Sequence, residues 1–227
     1  METTHESVLL KEAIDGLALQ SNDVVVDATV GGAGHFASIL EHLGAEGVLV
    51  GIDADEDAIS RGQRAQQGSK ATVHLHEGNF RDMGVLLDGL GITHVDKALF
   101  DLGWSSFHLS RGRGFSFRVE EPLLMTYGEP MPGHTAADFV NSASEEALAD
   151  MLYTFGEERF ARGIASAIVS RRHRARILTT TDLVTAVMEG TPSWYHHRRI
   201  HPATKTFQAL RIAVNDELGV LRAGLTT

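Results

Sequence analysis

Three aspartates close short apolar runs at the points where a strand would hand over to a turn: Asp27, Asp53 and Asp101. Just after the first of them lies Gly31-Gly32-Ala33-Gly34-His35, whose small residues let a ligand approach the backbone. Asp53 stands about 20 residues beyond that turn, where a carboxylate can accept hydrogen bonds from both hydroxyls of a ribose. A dinucleotide would call for glycines at the G-x-G-x-x-G spacing, but counted from Gly31 those positions hold Gly31, Ala33 and Phe36, which weakens a nicotinamide reading. The alternative, the sulfonium nucleoside S-adenosylmethionine, needs an acid at the end of the first strand and a glycine-rich turn beside its methionine part, and Asp27 with Gly31–Gly34 meets that need. The acidic run 53–57 resembles the start of a calcium loop. However, Ala58 sits where that loop needs glycine and Arg64 where it needs a bidentate glutamate, so Asp55 and Asp57 read as favourable charge at a helix N-terminus. His196, His197 and His201 lack an acidic or cysteine partner at ligand spacing, and no metal is expected.

The elements that must position these residues alternate. Residues 24–28, 48–53, 72–76 and 97–102 read as strands, and helical patterns follow through Phe36, Ile39, Leu40 and Leu43, over 58–67 and over 80–90. Strands and helices alternating at this spacing predict βαβ units and a parallel sheet, hence an α/β, Rossmann-like core. After Asp101 the pattern changes. Residues 107–133 form a long loop rich in Gly, Pro, Ser and Arg, and helices follow over 144–155, 157–172 and 180–189. His201-Pro202 opens a last long helix with Phe207, Leu210, Val214, Leu218 and Leu221 on one face. The expected organisation is an α/β core over 1–106, a loop plus helical insertion subdomain over 107–200, and a terminal helix over 201–227 that packs back towards the core.

The chain has 227 residues, 43 % of them apolar, enough to bury a substantial core. It has no cysteine, which removes disulfides and thiol chemistry and fits a reducing cytoplasm. No run is long and apolar enough for a membrane span. The net charge of −10 argues against a chain that coats naked nucleic acid. Yet residues 155–211 hold ten Lys/Arg against four Asp/Glu, a local +6 on an acidic body, which suits a basic RNA-facing subdomain.

Seven blocks, in order, carry a resemblance: His5-Glu6-Ser7-Val8-Leu9-Leu10-Lys11-Glu12, Asp27-Ala28-Thr29-Val30-Gly31 with Gly34-His35, Gly78-Asn79-Phe80, Asp101-Leu102-Gly103-Trp104-Ser105-Ser106, Arg113-Gly114-Phe115-Ser116-Phe117, Gly156-Glu157-Glu158-Arg159-Phe160, and the stretch from His201-Pro202-Ala203-Thr204 to Ile212. Together they resemble the family of methyltransferases acting on the N4 amine of a cytidine in small-subunit (16S) ribosomal RNA. The resemblance implies a class I S-adenosylmethionine fold. In it Ala33, Gly34 and His35 hold the methionine end, Asp53 the ribose and Phe80 the adenine, and Asp101 lies near the transferred methyl. It implies base-holding roles for Ser105 and Ser106 and a cofactor-side position for His108. It also implies ribosomal RNA, free or in an assembled small subunit, as partner. Arg111, Arg113, Arg171, Arg172, Arg174 and Arg176 could face the RNA backbone.

This chain departs from the family pattern at His108, where the family has glutamine, and at Leu124–Tyr127, where an acidic and a basic side chain are missing. The family's later strands are expected to be absent after Thr227, leaving a sheet edge beside the fourth strand that a second copy could cover. Two other readings stay open: a non-catalytic ribosome-assembly or RNA-binding factor, and a nicotinamide-dependent oxidoreductase.

Overall fold

The computed structural model describes residues 7–103 and 112–226. Two compact units divide the chain, one formed by 1–106 with 219–227 and the other by 107–218.

The first unit is built on four parallel strands, β1 (Val24–Asp27), β2 (Val48–Asp53), β3 (Thr72–Glu77) and β4 (Lys97–Leu99), in the order β3-β2-β1-β4. This is the expected α/β fold. Because successive strand residues face opposite sides, Val25 and Leu49 join one core with Ile14, Phe36 and Ile39, while Val26, Val50 and Ile52 join another with Met83 and Leu87. Helices α1 (Leu10–Leu17), α2 (Gly34–His42) and α4 (Met83–Gly89) supply these cores, and α3 (Glu56–Ala65) follows β2. Two strands are shorter than the sequence reading: β1 stops at Asp27 and β4 at Leu99, so Asp101 lies in the loop beyond its strand. Residues 80–90 split into a 3-10 turn (Phe80–Asp82) and α4, because the Asn79 side chain accepts from Arg81 N and caps the tight turn first. The helix α1 went unread, although Leu10, Ile14 and Leu17 share a face.

The second unit is helical: α5 (Ala136–Ser142), α6 (Glu145–Gly156), α7 (Ala161–Arg172), α8 (Thr180–Glu189) and α9 (Thr204–Val214). Leu148, Leu152, Ile164, Ile168, Leu183 and Leu210 are fully buried in its core. Capping boxes start α5 (Thr135 with Asp138) and α8 (Thr179 with Asp182), which fixes where each helix begins. A Cβ on Gly190 would sit 2.6 Å from the carbonyl oxygen of Gly163 and the Cα of Ile164, so a glycine is required where α7 and α8 draw together.

Two helical expectations are corrected here. The helix expected from residue 157 begins at Ala161, because Glu157 turns left-handed (φ 48°) to end α6 and the buried Glu158 carboxylate accepts from Phe160 N. The single terminal helix is two, α9 and α10 (Glu217–Leu225), broken at Asn215-Asp216. The Asn215 side chain accepts from Tyr127 N (3.0 Å) and donates to Met125 O (2.8 Å), and Asp216 takes φ 48°, which Asp tolerates better than most residues.

Candidate active site

β1 continues through α2 to β2 on one side, while its other neighbour β4 arrives from β3 across the sheet. Such a reversal opens a crevice beyond the carboxyl ends of the strands. Two of the expected residues are fixed there by backbone register alone, since Asp27 pairs with Gly51 on one side and Leu99 on the other, and Asp53 ends β2 two residues further on.

Asp27 is completely buried. Its Oδ1 accepts from Thr29 N (3.1 Å), and its Oδ2 has no hydrogen-bond partner. Burial pushes its pKa up from 3.8 to about 7 against the help of the Thr29 amide, and the negative charges of Asp53 and Asp101 push it further. Asp53 and Asp101 thus lie near enough for their charge to reach Asp27, at or beyond the carboxyl ends of the strands.

The glycine turn is held on both sides. Gly31 N donates to Asp53 Oδ2 (2.8 Å), and Gly31 O accepts from Arg61 Nε (2.7 Å). Gly31 (φ 49°) and Ala33 (φ 64°) are left-handed, a conformation easy for glycine and strained for alanine. The other oxygen of Asp53 accepts from Asp55 N (2.9 Å), so each oxygen takes one amide and keeps a lone pair for a further donor. Burial raises the pKa of Asp53, opposed by the two amides and by the charge of Arg61. Asp55 caps α3 by accepting from Asp57 N (3.0 Å), as the charge at a helix start requires.

Gly34 opens α2, and a Cβ there would collide with the Ser7 side chain, so the N-terminal block and the glycine turn lie against each other. His35 is buried, with Nδ1 3.6 Å from Asp101 Oδ2 and Nε2 unpartnered. Asp101 N donates to Thr29 Oγ1 (2.8 Å), tying the loops after β1 and β4 together, while its side chain stays 46 % exposed at the mouth. Phe80 follows β3 and meets Phe100 edge to face, centroids 5.4 Å apart. A Cβ on Gly224 would sit 2.8 Å from its ring. Ser105, Ser106, His108, Trp104 and Arg111 lie outside the described residues.

Two residues that hold the site escaped the sequence reading. Thr29 lay inside a quoted block, but nothing local marks its hydroxyl as a loop-to-loop acceptor. Arg61 is eight residues beyond Asp53, on the helix that follows it, and only the tertiary turn shows what it reaches. The arginine expectations divide. Arg113 donates to the carbonyls of Tyr127 and Gly128 (both 2.8 Å), and Arg172 to those of Val140 and Ala143, so both serve the fold. Arg171 pairs with Glu189 (3.1 Å), and Arg174 and Arg176 are exposed. His201 stacks on Phe117 at 4.7 Å, and its Nδ1 accepts from Ala203 N. Among the described residues no group of three His, Cys, Asp or Glu could hold a metal, and no helix is long and apolar enough to cross a membrane.

A parallel α/β sheet with an acid closing β1, a bent small-residue turn and a second acid closing β2 is the architecture of a class I, Rossmann-like methyltransferase. The chain belongs to the MraW methylase family, which it matches over residues 2–227. It is 45 % identical over 224 residues to the ribosomal RNA small subunit methyltransferase H of Deinococcus radiodurans, covering 98 % of this chain and 69 % of that one. The protein of the same name from Desulfotalea psychrophila is 46 % identical over 220 residues, 96 % of this chain and 74 % of its own. That from Desulforapulum autotrophicum is 43 % identical over 229 residues, 100 % of this chain and 73 % of its own.

Proposed function

We propose that this chain transfers a methyl group from S-adenosylmethionine to the N4 amine of a cytidine in small-subunit ribosomal RNA. The observation that carries the reading is the crevice itself: three carboxylates crowd one bent, small-residue turn, and two buried polar atoms there, Asp27 Oδ2 and His35 Nε2, have no partner. A nucleoside with a cationic methionine end fits that set. Ionised Asp27 and Asp53 offset its charge, the left-handed turn exposes backbone to it, and the free lone pairs of Asp53 accept from ribose hydroxyls. When bound, the cofactor supplies an electrophilic methyl carbon on sulfur.

The chain's own work is positioning. Ala33, Gly34 and His35 line the methionine end, and Phe80, at the end of β3, borders the adenine. Asp101, partly exposed and held by the Thr29 hydroxyl, accepts a hydrogen bond from the cytosine amine. That amine is a poor nucleophile because its lone pair is delocalised into the ring, so an acceptor that favours pyramidalisation and takes the departing proton lowers the barrier. By resemblance alone, Ser105 and Ser106 hold the base and His108 lies at the cofactor side.

The test is radiolabelled methyl transfer to small subunits that lack the modification, with the target base located by mass spectrometry of the RNA. Incorporation at a cytidine amine, abolished in Asp101→Ala while cofactor binding persists, supports the reading. Cofactor binding without incorporation would instead favour a non-catalytic role.

A further inference from the structure

The second unit carries an aromatic and cationic cluster that the methyl-transfer chemistry does not use. It is built from the Gly156–Phe160 block and the short 3-10 helix Ser193–His197. Glu158, fully buried, accepts from Phe160 N through Oε1 and from the Tyr195 hydroxyl through Oε2, both at 2.9 Å, so it locks the 3-10 helix to the start of α7. Phe160 then meets Tyr195 (4.8 Å) and Trp194 (5.7 Å) edge to face. This packing buries Tyr195 and leaves Trp194 51 % exposed. The guanidinium of Arg159 lies 4.8 Å from the Phe160 ring centre and 5.1 Å from that of Trp194, and the guanidinium of Arg198 lies 5.6 Å from that of Tyr195.

The half-exposed Trp194 ring is held by aromatic neighbours, of which Tyr195 has its hydroxyl satisfied by Glu158, so a flat apolar face is presented in a fixed orientation. The charge around it selects the occupant. Residues 190–215 contain no Asp or Glu but include Arg198, Arg199, Lys205 and Arg211, and Arg159, Arg198 and Arg199 are exposed. Of the two acids on the neighbouring block, Glu158 is buried and committed to its two donors, which leaves Glu157 as the exposed one. A flat ring flanked by arginines, with hardly a carboxylate near it, complements a base on a phosphate backbone.

We propose that Trp194, flanked by Arg159, Arg198 and Arg199, is a stacking platform for an unpaired nucleotide of the RNA substrate. This rests on the reading of the substrate as RNA but concerns a surface made wholly within the second unit. The ring takes the face of a splayed base, and the arginines bond the adjoining phosphates. Such a platform prefers single strands, because a duplex keeps its base faces stacked on one another.

The test uses the full chain and a short, mixed-sequence, fluorescein-labelled single-stranded oligoribonucleotide, read by anisotropy, with the duplex of the same sequence alongside. The single strand is expected to bind more tightly than the duplex, and Trp194→Ala to weaken it about 5- to 150-fold, the range for loss of one base–aromatic stack. Trp194→Phe should restore most of that affinity. Arg198→Ala with Arg199→Ala should lower the slope of log affinity against log salt by about 1.4, the loss of two phosphate contacts to a single strand. In a Trp104→Phe background Trp194 is the remaining tryptophan, and its fluorescence should be quenched by the oligonucleotide. Unchanged affinity in Trp194→Ala, or no quenching, overturns the proposal and leaves the patch to a protein partner. Calorimetry of S-adenosylmethionine binding to Trp194→Ala should match the parent chain. If methyl transfer proceeds while Trp194→Ala binds RNA undiminished, the platform falls and the enzymatic reading stands. If the platform behaves as described but no methyl is transferred, the reverse holds.

Discussion

Asp27 should make the fold less stable as the solution becomes more basic. In the unfolded chain its carboxyl ionises near the ordinary 3.8, whereas burial in the folded chain pushes it up to about 7. Between those values the folded chain holds a proton that the unfolded chain has released. The stabilisation is therefore fully present below pH 3.8, falls by about 1.4 kcal/mol per pH unit as pH rises, and is exhausted above pH 7. The whole effect is on the order of 4 kcal/mol, of which about 2–3 kcal/mol falls between pH 5 and pH 8. Asp27→Asn removes that dependence. Its side-chain oxygen can still accept from Thr29 N, while its amide nitrogen replaces an unpartnered oxygen and costs about 1–3 kcal/mol as a buried donor without an acceptor. Urea unfolding at several pH values, without cofactor, should show the parent chain losing about 2–3 kcal/mol relative to the variant from pH 5 to pH 8. A carboxyl carbon resonance titrating near pH 7 in the parent and missing in Asp27→Asn would report the same group directly. Parallel stability curves with no carboxyl titrating above pH 5 would refute the reasoning.

Arg61→Ala removes the donor to Gly31 O, so the turn relaxes and S-adenosylmethionine affinity should fall roughly tenfold by calorimetry, with a stability loss of about 1–2 kcal/mol. Gly51→Ala places a Cβ 2.6 Å from Phe36 Cε2 and 2.7 Å from Leu75 Cδ2 in a buried strand, and should cost about 1–3 kcal/mol in a thermal melt. Tyr195→Phe leaves Glu158 Oε2 buried without its donor, and should destabilise the chain by about 1–3 kcal/mol without altering cofactor affinity.

The first half of the fold was legible because its signals are local. β-branched runs, small-residue turns and acids at strand ends all lie within a few residues of one another, and β2 begins and ends where the sequence reading put it. The glycine turn was found for the same reason. What could not be read was whatever depends on an approach across the chain: that Arg61 reaches back 30 residues to Gly31, that Thr29 receives Asp101 N across 72, and that Asn215 breaks a helix because Tyr127 and Met125 need its amide. Charge was the least legible signal. Composition assigns every arginine the same value, yet Arg113 and Arg172 turn inward to carbonyls while Arg174, Arg198 and Arg199 face water.

That division bears on how a chain with a net charge of −10 can meet a polyanion. At physiological ionic strength, fields between exposed charges fade over about 8 Å, so a phosphate responds to the few groups beside it and hardly to the total. Over 190–215 those groups are cations and histidines without an acid, and their aromatic neighbours are fixed by a buried glutamate that presents no charge to the surface. The acids of the first unit act differently, gathered around a crevice where a cationic nucleoside gains from them. The excess acid lies wholly in the first unit, with 17 Asp/Glu against 7 Lys/Arg, while the second holds 13 of each and is basic only locally, a division that suits an enzyme with one cationic ligand and one phosphate chain. A charge reversal at Arg198 and Arg199 should therefore impair RNA binding far more than the same reversal of two exposed arginines away from this patch, and leave cofactor affinity as it was.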